Sequence, residues 1–313
     1  ITSGICYQYA KEALGDKASY LKLGMVNPLP VKLIKDFAAK VKTLYVIEEL
    51  DDVIETHCRK NGIDVKGKEL FTLQGEYFQS KVRQVVLGEN DEWQTLDAEI
   101  PVRPPVLCAG CPHRGVFYIL KKLGVMVSGD IGCYTLGNAM PLDMVDTCLC
   151  MGAGITMAQG FNHTDSDGVC FGFDSTFFAS GITGVVNAVH NNADMILCVL
   201  DNSTTAMTGH QSHPGLDNNL MGQIVDKINI AKVLEGIGVK KIITVDPLDL
   251  DASVKAVCEC ADMPGVKAVI FKSPCIAISK PTAKCRISDK CIQCKKCIRE
   301  IGCPALIVAD GKV

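Results

Sequence analysis

Two stretches decide the fold: Val169-Cys170-Phe171-Gly172-Phe173-Asp174-Ser175 and Met195-Ile196-Leu197-Cys198-Val199-Leu200-Asp201-Asn202. Each is a short, almost continuous apolar run that stops at a carboxylate or amide. Apolar residues on both faces suit a strand buried from both sides, as in a parallel sheet. Gly181–Asn192 between them reads as a helix, so the unit is strand, crossover helix, strand.

Working outward, Val125–Ser128, Lys241–Val245 and Val266–Phe271 read as further strands. His113–Leu123, Ile155–Phe161 and Leu250–Ala261 read as helices. The alternation predicts an α/β fold with a doubly wound parallel sheet, whose ligands bind beyond the carboxyl ends of the strands. Residues 1–100 repeat the pattern on a smaller scale, with strands at Tyr20–Leu23 and Thr43–Ile47 and a helix at Pro30–Val41. Proline suits its first turn. Pro101, Pro104 and Pro105 mark a linker, which gives domains at 1–100, 101–278 and 279–313.

The chain has 313 residues, 48% of them hydrophobic, and a net charge of −3 from 35 acids and 32 bases. That balance argues against nucleic acid and membrane surfaces as partners. No apolar run is long enough to span a bilayer, and no secretory signal is evident. A cytoplasmic protein is expected. The first residue is Ile1, not Met, so a piece of a longer protein is expected as well.

Asp174 and Asn202 stand 28 residues apart, each just past a strand. A carboxylate, an amide oxygen and a backbone carbonyl are hard donors that suit Mg²⁺, an ion that shares its shell with phosphates. Glycines at 129, 132, 152 and 154 would let backbone N–H groups approach a phosphate. Simple strand-end capping would use the same residue types.

The 17 cysteines are the second signal. Cys108-Ala-Gly-Cys111 opens the larger domain, Cys133 follows a strand end, and Cys275 follows the last strand. Four thiolates on loops at one end of a sheet suit either zinc or a 4Fe–4S cluster. Cys148 and Cys150 alternate like one face of a strand and read as buried. Cys6, Cys58, Cys170, Cys198, Cys258 and Cys260 read as small core residues. Residues 279–313 hold five cysteines and a net charge of +5. Their Cys291-x-x-Cys294-x-x-Cys297, then Cys303-Pro304, is close to a bacterial ferredoxin run with a longer insert.

Taken together, these motifs resemble the thiamine-diphosphate-dependent 2-oxoacid:ferredoxin oxidoreductases, indolepyruvate branch, alpha subunit. The likeness rests on the Gly172-Phe173-Asp174-Ser175 to Asn202 spacing and on Asp201-Asn-Ser-Thr-Thr-Ala-Met-Thr-Gly-His-Gln211. It rests also on Cys111-Pro-His-Arg114 and on Cys108, Cys111, Cys133 and Cys275. Ser175 replaces the usual second Gly of the cofactor motif. Lys22-Leu-Gly-Met-Val-Asn-Pro-Leu-Pro30 and Val46-Ile-Glu-Glu-Leu50 resemble that family's transketolase-C-like domain.

The resemblance implies thiamine diphosphate held by Gly132, Cys133, Met151, Gly152, Gly172, Asp174, Ser175, Asn202, Thr204, Met207 and Thr208. Mg²⁺ would sit on Asp174, Asn202 and the Thr204 carbonyl. A proximal 4Fe–4S cluster would sit on Cys108, Cys111, Cys133 and Cys275, with tail clusters using Cys291, Cys294, Cys297 and Cys303. The tail lacks a second cysteine motif; Cys285 is a spare. His113 is the candidate catalytic residue, with helix-start capping as the competing role for His113 and Arg114. The implied reaction is oxidative decarboxylation of aryl 2-oxoacids with coenzyme A and ferredoxin, in an oligomer with a smaller beta subunit. The pyrimidine-binding domain and its activating Glu would lie outside this sequence. Two other readings stay open: a non-redox thiamine-diphosphate lyase or synthase, and a zinc-stabilised non-catalytic assembly subunit.

Overall fold

The computed structural model describes residues 1–92, 96–164, 170–174, 177–280 and 286–313, with the backbone alone at 170–174. The chain divides into two compact units, Ile1–Pro101 and Val102–Val313.

In the first unit strands β1 (Thr2–Ser3) and β2 (Lys22–Leu23) pair in parallel. Four helices accompany them: α1 (Cys6–Leu14), α2 (Val31–Ala38), α3 (Val53–Lys60) and α4 (Gln79–Leu87). Pro30 is the residue just before α2, where its missing N–H costs nothing. The segment expected as a strand at Thr43–Ile47 differs. It makes only single bridges, Tyr45 to Lys66 and Ile47 to Thr2, because its partners are themselves too short to extend a ladder. Both oxygens of the buried Glu48 carboxylate accept N–H groups of the first turn of α3, from Ile54 (2.8 Å) and Glu55 (2.9 Å). That conserves the orphan donors of a helix start.

The second unit is the α/β sandwich that the apolar runs predict. Its elements are α5 (His113–Leu123), β3 (Val127–Ser128), α6 (Ala153–Phe161), β4 (Cys170–Asp174), α7 (Ile182–His190) and β5 (Met195–Asp201). They continue with α8 (Ile230–Ile237), β6 (Lys241–Val245), α9 (Leu250–Ala261), β7 (Val266–Lys272) and a short α10 (Lys296–Arg299). The sheet order is β3-β4-β5-β7-β6 and every pairing is parallel. Val169, the expected first residue of its strand, lies outside the described residues.

Side chains alternate along the central strand, and both faces are covered. Ile196, Cys198 and Leu200 join Val269 and Phe271 in a core with Val116, Phe117 and Leu120 of α5 and Val257 of α9. Met195, Leu197 and Val199 point the other way, into a core with Ile155 of α6, Val185 of α7 and Leu234 of α8. Period-two alternation thus serves two apolar layers, which is why the strand reads as unbroken hydrophobe.

Helix α5 lies unusually close to the α9 approach. A Cβ at Gly115 would stand 2.3 Å from the Pro247 carbonyl oxygen, a backbone atom that cannot rotate away. Gly115→Ala is therefore expected to destabilise the second unit by about 1–3 kcal/mol. In urea its midpoint should fall with an unchanged slope; an unmoved midpoint would show that the helix shifts freely.

Candidate functional site

Strands β4 and β5 run side by side, with Asp174 paired to Val199. They therefore end at the same rim. The turn after β5 is set by its own side chains. Asp201 Oδ1 accepts the Ser203 N–H at 3.1 Å, and Asn202 Oδ1 accepts the Thr204 N–H at 3.3 Å. Ser203 adopts a left-handed φ of 59°. Such Asx turns fold the chain back sharply.

Beyond this rim lies a cavity of about 290 Å³, whose lining includes Met151, Phe178, Asn202, Thr204, His213 and Ile230. Its mixed lining of apolar walls and a few polar groups suits a small organic ligand. Of the sequence-expected cofactor residues, Met151, Asn202 and Thr204 are on the wall. Gly172 and Asp174 are described in backbone only, and Ser175 lies outside the described residues. Met207 and Thr208 are exposed, on the loop that continues from the turn. There Thr208 is tied to Gln211 through bonds of 2.6 Å.

A second loop closes over from β3. The fully buried Asp130 accepts N–H groups from Ile131 and Gly152 through Oδ1, both at 2.8 Å. Gly152 has φ 81°, and a Cβ there would stand 2.6 Å from Ser180 Oγ. Only glycine meets both demands. Gly132, at φ 110°, shares that freedom just before Cys133.

His213 and Phe178 are among the wall residues that lie outside the expected set. His213 stacks on Phe178 with ring centroids 5.6 Å apart, and its Nδ1 accepts the Gly215 N–H at 3.1 Å. Burial pushes its pKa down, and Asp201 pushes it back up. A histidine eleven residues beyond the Asn202 turn was the available signal.

His113 is placed differently from the catalytic expectation. Together with Val116, Phe117 and Leu120 it forms one helical stripe of α5 that faces the core. It is 3% exposed, packed edge-on against Phe117 and Tyr134, and it does not line the cavity. Arg114 is buried too, and bonds carbonyls rather than the cavity.

The four proximal cysteines feel one another. Burial pushes the Cys111 thiol up to about 11, and the Cys133 and Cys108 sulfurs add to that rise. Burial also raises Cys133, with Cys275 and Cys108 reinforcing it. Among the described residues no three Cys, His or acidic side chains stand close enough to hold a metal ion as they are. Alkylation of Cys111 in the metal-free chain is expected to be slow at pH 8 and to accelerate about tenfold per pH unit until about 11. Peptide mapping after iodoacetamide pulses would check this, and a rate that levels off below pH 9 would refute it.

In the tail Cys291 and Cys294 are exposed, and Cys297 and Cys303 are half-buried. The Cys303 N–H donates to the Cys297 carbonyl at 3.3 Å. Cys285 lies outside the described residues. Cys150 is exposed and Cys148 half-buried, so neither is the interior residue expected. Cys6, Cys58, Cys198 and Cys260 are buried, whereas Cys258 is exposed, and the side chain of Cys170 lies outside the description.

Among the described residues no helix is long and apolar enough to cross a membrane. The thiamine pyrophosphate enzyme C-terminal TPP binding domain family matches residues 130–269, the stretch that builds this rim. The indolepyruvate oxidoreductase subunit IorA of Archaeoglobus fulgidus is 36% identical, covering 100% of this chain and 55% of that protein. The IorA subunit of Methanothermobacter thermautotrophicus matches at the same 36%, 100% and 55%. That of Thermococcus kodakarensis is 30% identical over 98% of this chain and 55% of its own length. The chain thus spans about half the length of the curated relatives it matches. A solved 2-oxoglutarate:ferredoxin oxidoreductase from Magnetococcus marinus aligns at 19% identity over 58% of this chain and 67% of that one, with a TM-score of 0.45. Along its whole length, then, the chain is similar to part of the indolepyruvate oxidoreductase IorA subunits, and residues 130–269 match the thiamine pyrophosphate enzyme C-terminal domain.

Proposed function

We propose that the chain is the thiamine-diphosphate-binding part of an enzyme that oxidatively decarboxylates aryl 2-oxoacids of the indolepyruvate type. Coenzyme A would take the acyl group, and 4Fe–4S clusters would pass electrons to ferredoxin. One observation carries this reading: the Asp201–Asn202 turn and the segment that bears Cys275 are hydrogen-bonded to each other. The Ser273 N–H donates to the Asp201 carbonyl at 3.1 Å and the Cys275 N–H to the Asn202 carbonyl at 2.9 Å. A cofactor that generates electrons and a cluster that removes them need such adjacency.

The donor sets fit. Asp174, Asn202 and the Thr204 carbonyl offer the oxygen ligands that Mg²⁺ shares with a diphosphate. Cys108, Cys111, Cys133 and Cys275 offer four sulfurs that already influence one another. When bound, thiamine diphosphate supplies the carbanion chemistry that breaks the bond to the substrate carboxylate. The chain's own residues bind and shield it. Gly152 lets the backbone come close, Met151 lines the wall, and the stacked Phe178 and His213 exclude water from one side.

The test is anaerobic assay of the complete enzyme, with its smaller subunit, for indolepyruvate- and coenzyme A-dependent reduction of a viologen, together with iron and sulfide analysis. Turnover with about four irons per cluster supports the reading. Thiamine diphosphate without iron would point to a non-redox lyase, and zinc without thiamine diphosphate to a scaffold. Residues 1–313 alone are expected to give no turnover in the same assay, because the group that activates the aminopyrimidine is expected elsewhere; normal turnover would refute that.

A further inference from the structure

Arg114 is 6% exposed, and its guanidinium meets no carboxylate within ion-pair distance among the described residues. Each nitrogen donates to a backbone carbonyl instead: Nε to Cys108 (3.3 Å), Nη2 to Leu107 and Nη1 to Ile301 (2.7 Å). The Arg114 backbone N–H donates to the Cys111 carbonyl at 3.2 Å. Carbonyls solvate a cation but do not neutralise it. A guanidinium cannot shed its proton in a protein, so a buried one without an anion carries an unmet cost. Two of its three bonds hold Leu107 and Cys108, at the start of the Cys108–Cys111 loop.

The same fork reaches the tail. Ile301 is two residues from Cys303, and its surroundings are docked on α5. The Tyr118 hydroxyl donates to Glu300 at 3.2 Å, and Lys122 pairs with Glu300 at 3.0 Å. A Cβ on Gly302 would stand 2.5 Å from Pro141 Cδ, so the tail backbone lies directly against the loop that carries Pro141. One buried cation therefore links both cysteine groups.

We propose that Arg114 is a positioning residue that brings a buried positive charge to the Cys108–Cys111 loop and ties the Cys297–Cys303 segment to that loop. The proposal rests on the cluster reading above. A fixed cation beside a cluster favours its more negative, reduced form, so Arg114 raises the potential of the proximal cluster.

The test uses the complete enzyme, isolated anaerobically, and titrates the proximal cluster by electron paramagnetic resonance in the parent, R114Q and R114K. R114Q removes the charge and R114K keeps it while losing the fork. R114Q is expected to lower the midpoint by about 59 mV, a tenfold shift in a one-electron equilibrium. R114K is expected to stay close to the parent midpoint, while hydrogen exchange at residues 296–303 rises in both variants. An R114Q midpoint equal to the parent's overturns the proposal, as does unchanged exchange in the tail. If R114Q does not fold, a tenfold fall in R114K overturns it, and a parent-like R114K midpoint with a loosened tail supports it. A parent enzyme without any cluster overturns both this proposal and the cluster reading, whereas an unmoved midpoint in a loaded enzyme overturns this proposal alone.

Discussion

Asn202→Ala is expected to abolish measurable magnesium-dependent binding of thiamine diphosphate. Losing an outer-shell partner of a metal typically costs about 10- to 100-fold in affinity, and a direct ligand should cost more. The alanine also removes the bond from Thr204 N–H to Asn202 Oδ1 that shapes the turn. Asn202→Asp separates the two effects, since its carboxylate keeps a hard oxygen and can still accept that bond. Calorimetric titration of each variant, with Mg²⁺ and with a chelator, would report both. If Asn202→Ala bound like the parent, the metal would have to be held elsewhere and the 28-residue spacing would lose its meaning.

The second large effect is on stability in acid. His113 is buried among apolar rings, and burial pushes its pKa down to about 4. Its Nε2 has no partner among the described residues. In the unfolded chain the same imidazole titrates near 6.5. The unfolded state therefore binds more protons between those values, and stability falls as pH drops through that window. Above pH 6.5 the neutral ring costs little. By pH 4 the loss reaches about 3 kcal/mol. His113→Leu, of similar volume, should keep the core filled and remove most of this acid dependence. Chemical denaturation at pH 7 and pH 4.5 would compare the two proteins. Equal acid loss in both would assign the sensitivity to other groups. Activity retained in His113→Leu would also separate the interior role from the catalytic expectation.

The sheet was legible because its central strands are apolar on both faces. Met195–Asp201 and Lys241–Val245 occur with the expected bounds, and Val266–Phe271 gains one residue. The expected strand at Val125–Ser128 shrinks to two residues, since only Val127 and Ser128 find partners on β4. Helix α8 escaped notice although Asn229 caps it, accepting the Lys232 N–H at 3.1 Å. Its run of Ile, Ala, Val and Leu blurs helix and strand periodicity. In the first unit, short elements are held by bridges between distant residues, and no local pattern announces those.

The candidate site was legible in a different measure. The positions of Asp174 and Asn202 followed from strand ends, which are local features. The interior address of His113 followed from α5 itself, whose 113, 116, 117 and 120 stripe was available to sequence. The clamp by Arg114 was not, because Ile301 is 187 residues away. Likewise His213 meets Phe178 only through the cavity that both enclose.

The last described pairing of β5 with β4 is Val199 with Asp174, while β5 runs on to Asp201. Leu200 lies one residue past that pairing. The Tyr134 hydroxyl serves both of its backbone groups, accepting the Leu200 N–H and donating to the Leu200 carbonyl, both at 3.0 Å. A single oxygen thus satisfies a donor and an acceptor of one strand residue. Phenylalanine would fit the space and lack the oxygen; serine and threonine would carry the oxygen and fall short. In a saturation library, position 134 should therefore tolerate almost no replacement, and that intolerance would arise from the backbone needs of one strand end rather than from any part in the reaction.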